Sequence, residues 1–162
     1  MSITKKLEEL GIVLPEAPSP RGLYSPYVIS GSLLYLSGTG GLPDGQPLPA
    51  NTDTPLSEGR VGAEYTLQDG KMAARASALS ALAMAKAALG SLDRVVRIVK
   101  MTGFVASAPG FHRQPEVMNG ASELFAEVFG KERGLGVRSA VGVASLPFGL
   151  PVEIEVTMEI LP

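Results

Sequence analysis

The sequence predicts an α+β fold in which one mixed β-sheet carries two helices on a single face. Size and composition are the first observation, since 162 residues with 45% apolar and 19% charged side chains suffice for one hydrophobic core. The second is the order of segments, which runs strand, strand, helix, strand, helix, strand, strand. The third is the alternation of the last strand, where residues 152, 154, 156, 158 and 160 are all apolar. We therefore expect a single domain over residues 1–162.

The first elements are a helix, a connector and a hairpin. Residues 1–11 place apolar side chains at helical spacing and end at a glycine, so residues 1–21 are expected to form an N-terminal helix and connector. The four prolines of residues 14–26 exclude a helix or a central strand there. Residues 27–30 and 33–37 are predicted to pair as a hairpin, because a glycine between them supplies the positive φ of a tight turn.

The middle of the chain predicts a loop and then the clearest helix. Residues 38–70 contain seven glycines and four prolines, which is typical of a long functional loop. Residues 71–89 are rich in alanine, with Met72, Leu82 and other apolar side chains on one face, and Gly90 follows them. So many alanines predict close packing of this helix against the sheet.

A strand, a second helix and two further strands complete the chain. The strand covers residues 92–106, the helix residues 115–129, and the last strands residues 137–145 and 152–161. In the first of these last strands one face is small after Arg138, which predicts room for another backbone or a ligand.

Charge and rare residues exclude several classes of function. Fourteen basic and sixteen acidic residues give a net charge of −2 with no Lys/Arg run, which argues against nucleic acid as a partner. The chain has no cysteine and one histidine, His112, so disulfides, thiolate chemistry and multi-histidine metal sites are excluded. The sequence indicates neither secretion nor membrane insertion, so we expect a cytoplasmic protein without a cofactor. Catalysis would then depend on carboxylates, Arg, Tyr, amides and backbone groups.

Two charged residues on the last strands are the main candidates for chemistry. The fork of Arg138 suits a bidentate carboxylate, although a surface arginine or a structural ion pair has the same sequence pattern. Glu153 could act on water, but it shares its strand face with Glu155, Thr157 and Glu159, as a solvated polar stripe would. The pattern alone leaves both alternatives open.

Weaker candidates lie elsewhere. Tyr27, at the start of a strand, could point into a pocket or simply pack. Asn119 could reach a polar neighbour from its helix or face solvent. The backbone of residues 37–41 could hold an anion or form a tight turn. His112 follows no nucleophile elbow, so a catalytic triad is not indicated.

In combination these residues resemble the Rid family, also called the YjgF-like or reactive intermediate deaminase family. The resemblance covers about residues 22–161, and its most specific part is the fifteen-residue spacing from Arg138 to Glu153. The segments that carry it are Tyr27, Leu36-Ser37-Gly38, Asn119, Arg138-Ser139, Leu146-Pro147 and Val152-Glu153-Ile154-Glu155.

The resemblance implies a chorismate-mutase-like fold assembled as a homotrimer, with sites in clefts between subunits. It also implies hydrolysis of 2-imino acids and enamines, such as 2-aminoacrylate, to 2-oxo acids and ammonia, as in 2-iminobutanoate/2-iminopropanoate deaminases. Arg138 would then bind the substrate carboxylate and Glu153 would position or activate water. Tyr27, Ser37, Gly38 and Asn119 would line the pocket.

The sequence also departs from the family pattern. Ala140 replaces the usual cysteine, Thr39 the usual glutamine, and residues 42–68 exceed the typical loop. These differences, with the N-terminal helix, indicate a divergent subgroup. Two other functions stay open: a trimer that binds small carboxylated metabolites without turnover, and the endoribonuclease activity after which L-PSP relatives are named.

Overall fold

A computed structural model describes residues 2–49 and 56–162. It contains six strands, four helices and two short 3₁₀ turns within those residues. The helices are α1 (Ile3–Glu9), α2 (Leu67–Leu89), α3 (Gln114–Phe129) and α4 (Lys131–Gly134), the strands are β1 (Tyr27–Ser30), β2 (Leu33–Leu36), β3 (Thr39–Gly41), β4 (Val95–Ala106), β5 (Val137–Val143) and β6 (Val152–Ile160), and the turns are Leu92–Arg94 and Pro147–Gly149.

All six strands belong to one mixed sheet, which confirms the predicted fold class. The strand order is β1-β2-β6-β4-β5, and β3 pairs with the start of β6 beside β2. Every pairing is antiparallel except that of β4 with β5. The chain therefore places its last strand at the centre of the sheet, between the hairpin and β4.

The helices α2 and α3 pack against one face of this sheet and against each other. The alanines of α2 are almost all buried, which brings its backbone close to the strands, as the composition predicted. On β6 the apolar residues Val152, Ile154, Val156, Met158 and Ile160 face the helices and are all buried. Burial of this apolar face is the main force holding the layers together.

The opposite face of the sheet is open. One row of paired residues crosses it from edge to edge through Val28, Tyr35, Thr157, Lys100 and Val137. The apolar members of this row are exposed, with 70% of Val137 accessible. Exposed apolar side chains on an open sheet face are typical of a surface that binds a partner.

The predicted loop over residues 38–70 is wrong at both ends. Residues 39–41 form β3, and α2 begins at Leu67 rather than residue 71. The cause of the earlier start is a capping box, in which Thr66 accepts from the backbone of Asp69 and the Asp69 carboxylate accepts from the backbone of Thr66. Met72, expected on the apolar face, is exposed.

The N-terminal helix packs on the main body as predicted. Ile3 and Leu7 are buried in the core, and the backbone N–H of Ile3 donates to the carboxylate of Asp93 over 2.6 Å. Gly11 ends the segment with a positive φ of 65°. None of the described helices is long and apolar enough to span a membrane.

Candidate active site

Glu153 lies on the open face near the start of β6. Its backbone is paired with Gly40 of β3 on one side and Phe104 of β4 on the other. A Cβ atom at Gly38 would lie 1.8 Å from the Glu153 carboxylate, so only glycine allows the carboxylate to occupy its position. The Ser37-Gly38 segment and Glu153 therefore fit together, as the resemblance implied for Gly38.

The environment of Glu153 favours its protonated form. Burial raises the pKa of this carboxyl above its usual range, and the neighbouring charge of Glu155 raises the pKa further. A carboxyl tuned upward in a cleft is a candidate general base for work near neutral pH. The same pKa direction distinguishes Glu153 from an ordinary solvated acid.

The glycines of residues 38–41 serve packing rather than a tight turn. A Cβ at Gly41 would lie 2.2 Å from the carbonyl oxygen of Ala73 on α2, so β3 approaches that helix closely. Thr39 is buried and its hydroxyl donates to the Ser77 carbonyl over 2.9 Å. The expected tight turn is thus a strand held against α2.

A small cavity of about 110 Å³ adjoins Glu153. Three segments of this chain enclose it together with β3. They are the connector around Arg21 and Tyr24, the stretch after β3 that contains Leu48, and the turn Pro147–Gly149. The guanidinium carbon of Arg21 lies 4.6 Å from the centre of the Phe148 ring. The proline-rich connector therefore closes over the candidate base.

Tyr27 and Ser37 line a neighbouring concavity on the open face, of about 460 Å³. The Ser37 hydroxyl donates to the carbonyl of Ser25 over 2.6 Å, which fixes it beside the first strand. Glu155 lines this concavity, while Glu153 lines the smaller cavity described above. Because these two glutamates are two residues apart on one strand face, the two depressions lie next to each other.

Arg138 is half-buried on β5 and is held by α3. It donates from Nη1 to the Ser122 hydroxyl and from Nη2 to the Pro115 carbonyl, each over 3.0 Å. Within the described part of the chain no carboxylate forms an ion pair with Arg138. Its guanidinium charge is therefore oriented by neutral groups and uncompensated.

Asn119 lies on the same stripe of α3 as the groups that hold Arg138. Residues 115, 119 and 122 are four and three positions apart, so they lie on one face of α3. The Asn119 side chain is half-buried and forms no hydrogen bond with residues 2–49 or 56–162. Asn119 and Arg138 thus form one polar patch between α3 and β5.

The space beside Gly142 is filled, contrary to expectation. A Cβ at Gly142 would lie 2.9 Å from Nε2 of Gln114, which reaches across from the start of α3. The Gln114 amide donates to the Phe111 carbonyl over 2.7 Å and to the Ser107 hydroxyl over 3.3 Å. The small residue accommodates this side chain of the same subunit rather than a ligand.

Arg138 and Glu153 lie on opposite faces of the sheet. Arg138 is level with Met101 of β4, which faces the helices, whereas Glu153 is level with Phe104. These two β4 residues are three apart in a regular stretch of strand, so they face opposite sides. β5 and β6 flank β4, about 10 Å apart. A single chain therefore offers two separate half-sites: Arg138 with Asn119, and Glu153 with Gly38, Ser37 and Tyr27.

Sequence reasoning missed the cavity roof formed by Arg21, Leu48 and Phe148. The Leu146-Pro147 pair was recognised as part of the Rid-like pattern, but the position of the Phe148 ring depends on distant segments and has no local signal. Among the described residues, no group of three or more His, Asp and Glu side chains could hold a metal ion.

The fold and both half-sites define a protein of the YjgF-like class. The family model described as "YjgF/chorismate_mutase-like, putative endoribonuclease" matches residues 4–148, and the chain belongs to this family. This confirms the resemblance to Rid proteins.

Three relatives illustrate the similarity. The chain is 45% identical over 158 residues to Protein TCP17 of Trypanosoma cruzi, covering 98% of this chain and 94% of that protein. A crystal structure of a protein of unknown function from Agrobacterium tumefaciens is 43% identical with a TM-score of 0.83, covering 98% of this chain and 92% of that one. A "putative endoribonuclease" from Shewanella oneidensis is 31% identical with a TM-score of 0.86, covering 99% of this chain and all of that one.

Proposed function

We propose that the protein hydrolyses reactive 2-imino acids and their enamine tautomers, of the 2-aminoacrylate type, at clefts between the subunits of a homotrimer. The enamine first takes a proton at C3 to give the imine. Water then adds to C2, and the C–N bond breaks to leave a 2-oxo acid and ammonia. An imine carbon is already electrophilic, so the reaction needs orientation and one proton-transferring group.

Arg138 is proposed to bind the substrate carboxylate. The observation that carries this proposal is its uncompensated guanidinium, half-buried and already oriented by Ser122 and Pro115. Orientation by neutral partners leaves the charge available to an anion, and a planar fork binds a carboxylate with two parallel hydrogen bonds. The unpaired amide of Asn119 on the same helix stripe could bind the imine nitrogen or the carboxylate.

Glu153 is proposed to take a proton from the attacking water. Its raised pKa supports this role, because a carboxylate with a higher pKa is a stronger base towards the proton of water. Tyr27, Ser37 and Gly38 would shape the wall that faces the substrate. Since Arg138 lies on the opposite sheet face, a second subunit would supply it.

The test is release of ammonia and 2-oxo acid from 2-iminopropionate generated by an amino acid oxidase with catalase present. We expect Arg138→Ala to lower kcat/KM by about 10²-fold or more, and Arg138→Lys to recover only part of it, because the charge remains but the fork is lost. Arg75→Ala is the matched control, since Arg75 forms an exposed ion pair with Glu127 on the helices. Spontaneous hydrolysis is subtracted throughout.

Two other results would assign a different function. Binding of 2-oxobutyrate that depends on Arg138, without turnover above background, would make the protein a metabolite binder. Cleavage of RNA by the wild type but not by the variants would support the endoribonuclease activity in the relatives' names. The net charge of −2 without a basic run does not favour RNA.

A further inference from the structure

Apart from Gly38, the residues that enclose the cavity beside Glu153 have no role in the chemistry proposed above. Its wall beside β3 consists of the backbone of residues 38–40. Its other walls come from the connector before β1, the segment after β3 and the turn before β6. The connector contributes Pro18, Ser19, Arg21 and Tyr24 to the lining, and the apolar part of the wall comes from Leu48, Pro147, Phe148 and Leu150.

Phe148 holds an unusual backbone conformation at this cavity. Its φ of 59° and ψ of 17° lie in the left-handed region, which bulky residues rarely adopt because of steric strain. It is the only non-glycine residue with positive φ in the described ranges. Such a conformation persists only where the surroundings enforce it, and it often marks a functional position.

The surroundings of Phe148 enforce that conformation from both sides. The N–H of Leu56 donates to its carbonyl over 3.0 Å, and the hydroxyl of Ser57 donates to the next carbonyl, that of Gly149, over 2.5 Å. On the ring side, Arg21 lies over the aromatic face and also donates to the Pro49 carbonyl. The connector and the residues after β3 thus fix the ring as one wall of the cavity.

Two leucines of the cavity lining pack on β3. A Cβ at Gly40 would lie 2.5 Å from a methyl of Leu150 and 3.2 Å from a methyl of Leu48. Both leucines therefore pack directly on the strand that pairs with Glu153. A water molecule's share of liquid volume is about 30 Å³, so the cavity of about 110 Å³ has room for at least three or four carbon-sized groups.

We infer that this cavity receives the substrate's side chain, and that Phe148, Leu48 and Leu150 select 2-imino acids with an apolar side chain of three or four carbons. The inference rests on the proposed function. If Glu153 acts on water at C2, the substrate's side chain, which is bonded to C2, must lie close to Glu153. An acidic side chain would bring its charge towards the Glu153 carboxylate, and the Arg21 guanidinium in the same wall is already engaged by the Phe148 ring and the Pro49 carbonyl. A methyl group would leave most of the cavity unfilled.

The experiment compares 2-imino acids made by an amino acid oxidase from leucine, alanine and glutamate. We expect wild-type kcat/KM for the leucine-derived imine to exceed that for 2-iminopropionate by about 10-fold or more, the scale on which apolar pockets discriminate. Phe148→Gly is the decisive variant, because glycine adopts the left-handed conformation without strain while the ring is lost. It should remove most of this preference, measured as the ratio of kcat/KM for the leucine-derived imine to that for 2-iminopropionate. Leu10→Ala, an exposed truncation at the end of α1, is the control and should leave the preference intact.

A binding assay separates failure of this inference from failure of the proposed function. If no imine is turned over, calorimetry with 4-methyl-2-oxopentanoate and pyruvate still measures the cavity, and tighter binding of the larger acid that Phe148→Gly abolishes would support it. Wild-type preference for 2-iminopropionate or for the glutamate-derived imine would overturn the inference while leaving deaminase activity standing. So would an equal loss for all substrates in Phe148→Gly, or the absence of any size preference in both assays.

Discussion

At the scale of single residues, Glu153 and Glu155 differ in burial, although the sequence pattern places them in equivalent positions on one strand face. Both project from the same face of β6, yet Glu153 is half-buried under the connector while Glu155 is exposed. Desolvation acts on Glu153, and the charge of Glu155 adds to it. The neighbouring acid is therefore part of the tuning of the candidate base.

The acid limb of turnover should follow this tuning. As a base, Glu153 must be ionised, so its raised pKa places the acid limb of kcat/KM above pH 4.5, the ordinary value for the group. Removing the like charge in Glu155→Gln lowers the pKa of Glu153, and the acid limb should move to lower pH.

Glu153→Gln should lose about 10²-fold or more in turnover while retaining 2-oxobutyrate binding.

The matched control is Glu159→Gln, which makes the same chemical change farther along the face, where Glu159 is paired with Arg97 at 3.7 Å. The limb should not move in this variant. A limb unchanged by Glu155→Gln, or full activity in Glu153→Gln, would contradict the assignment of the base.

At the scale of elements, the sequence predicted the helices and strands that have a clear pattern of apolar residues within their own segment. The period of two in β6 and the alanine-rich run of α2 each identify a buried face without reference to the rest of the chain. β3 has no such pattern, because its residues Thr39, Gly40 and Gly41 become a strand only by pairing with β6 and packing on α2. The capping box that begins α2 did carry a local signal in Thr66 and Asp69, which the sequence interpretation overlooked.

In the candidate site, too, the residues with a local sequence motif were predicted, and those placed by distant contacts were not. The Rid-like motifs predicted Arg138, Asn119, Gly38 and Glu153 as site residues, and in the structure Arg138 lies on the helix-covered face of the sheet and Glu153 on the other face. The cavity roof was not predicted, because the contact of Arg21 with Phe148 joins residues more than a hundred positions apart. Propensity and spacing contain no information about such contacts.

The contact between β3 and α2 leads to a stability prediction. Gly41→Ala places a methyl group 2.2 Å from the Ala73 carbonyl oxygen, and neither backbone can move without disturbing the core. We expect a loss of about 1–3 kcal/mol in the free energy of unfolding by urea titration, typical of overpacking. Gly22→Ala is the control, since its methyl would meet only the edge of the Tyr24 ring, at 3.3 Å. Equal stability of the two variants would show that β3 is not held against α2 as described.

At the scale of the whole molecule, the sheet itself separates the two half-sites. The helices cover the face that carries Arg138, while Glu153 lies on the open face with the apolar row through Val28 and Tyr35. No rotation of side chains within one chain brings both groups to one small substrate. If Arg138 and Glu153 act on one substrate, as proposed, a second copy must supply one of them, and the open face exposes apolar side chains for such a contact.

The last prediction tests this division directly by mixing inactive subunits. Light scattering should first give about three times 16.9 kDa for the wild type. Arg138→Ala and Glu153→Gln subunits, given different tags and co-expressed in equal amounts, should then form hybrid trimers. If each site takes Arg138 from one subunit and Glu153 from its neighbour, random assortment gives both native residues in about a quarter of the clefts. The mixture should recover turnover on that scale, although each variant alone is inactive. Hybrid trimers verified by their tags that are no more active than the separate variants would show that the two residues do not act in one shared cleft, and a monomeric wild type would contradict the intersubunit site altogether.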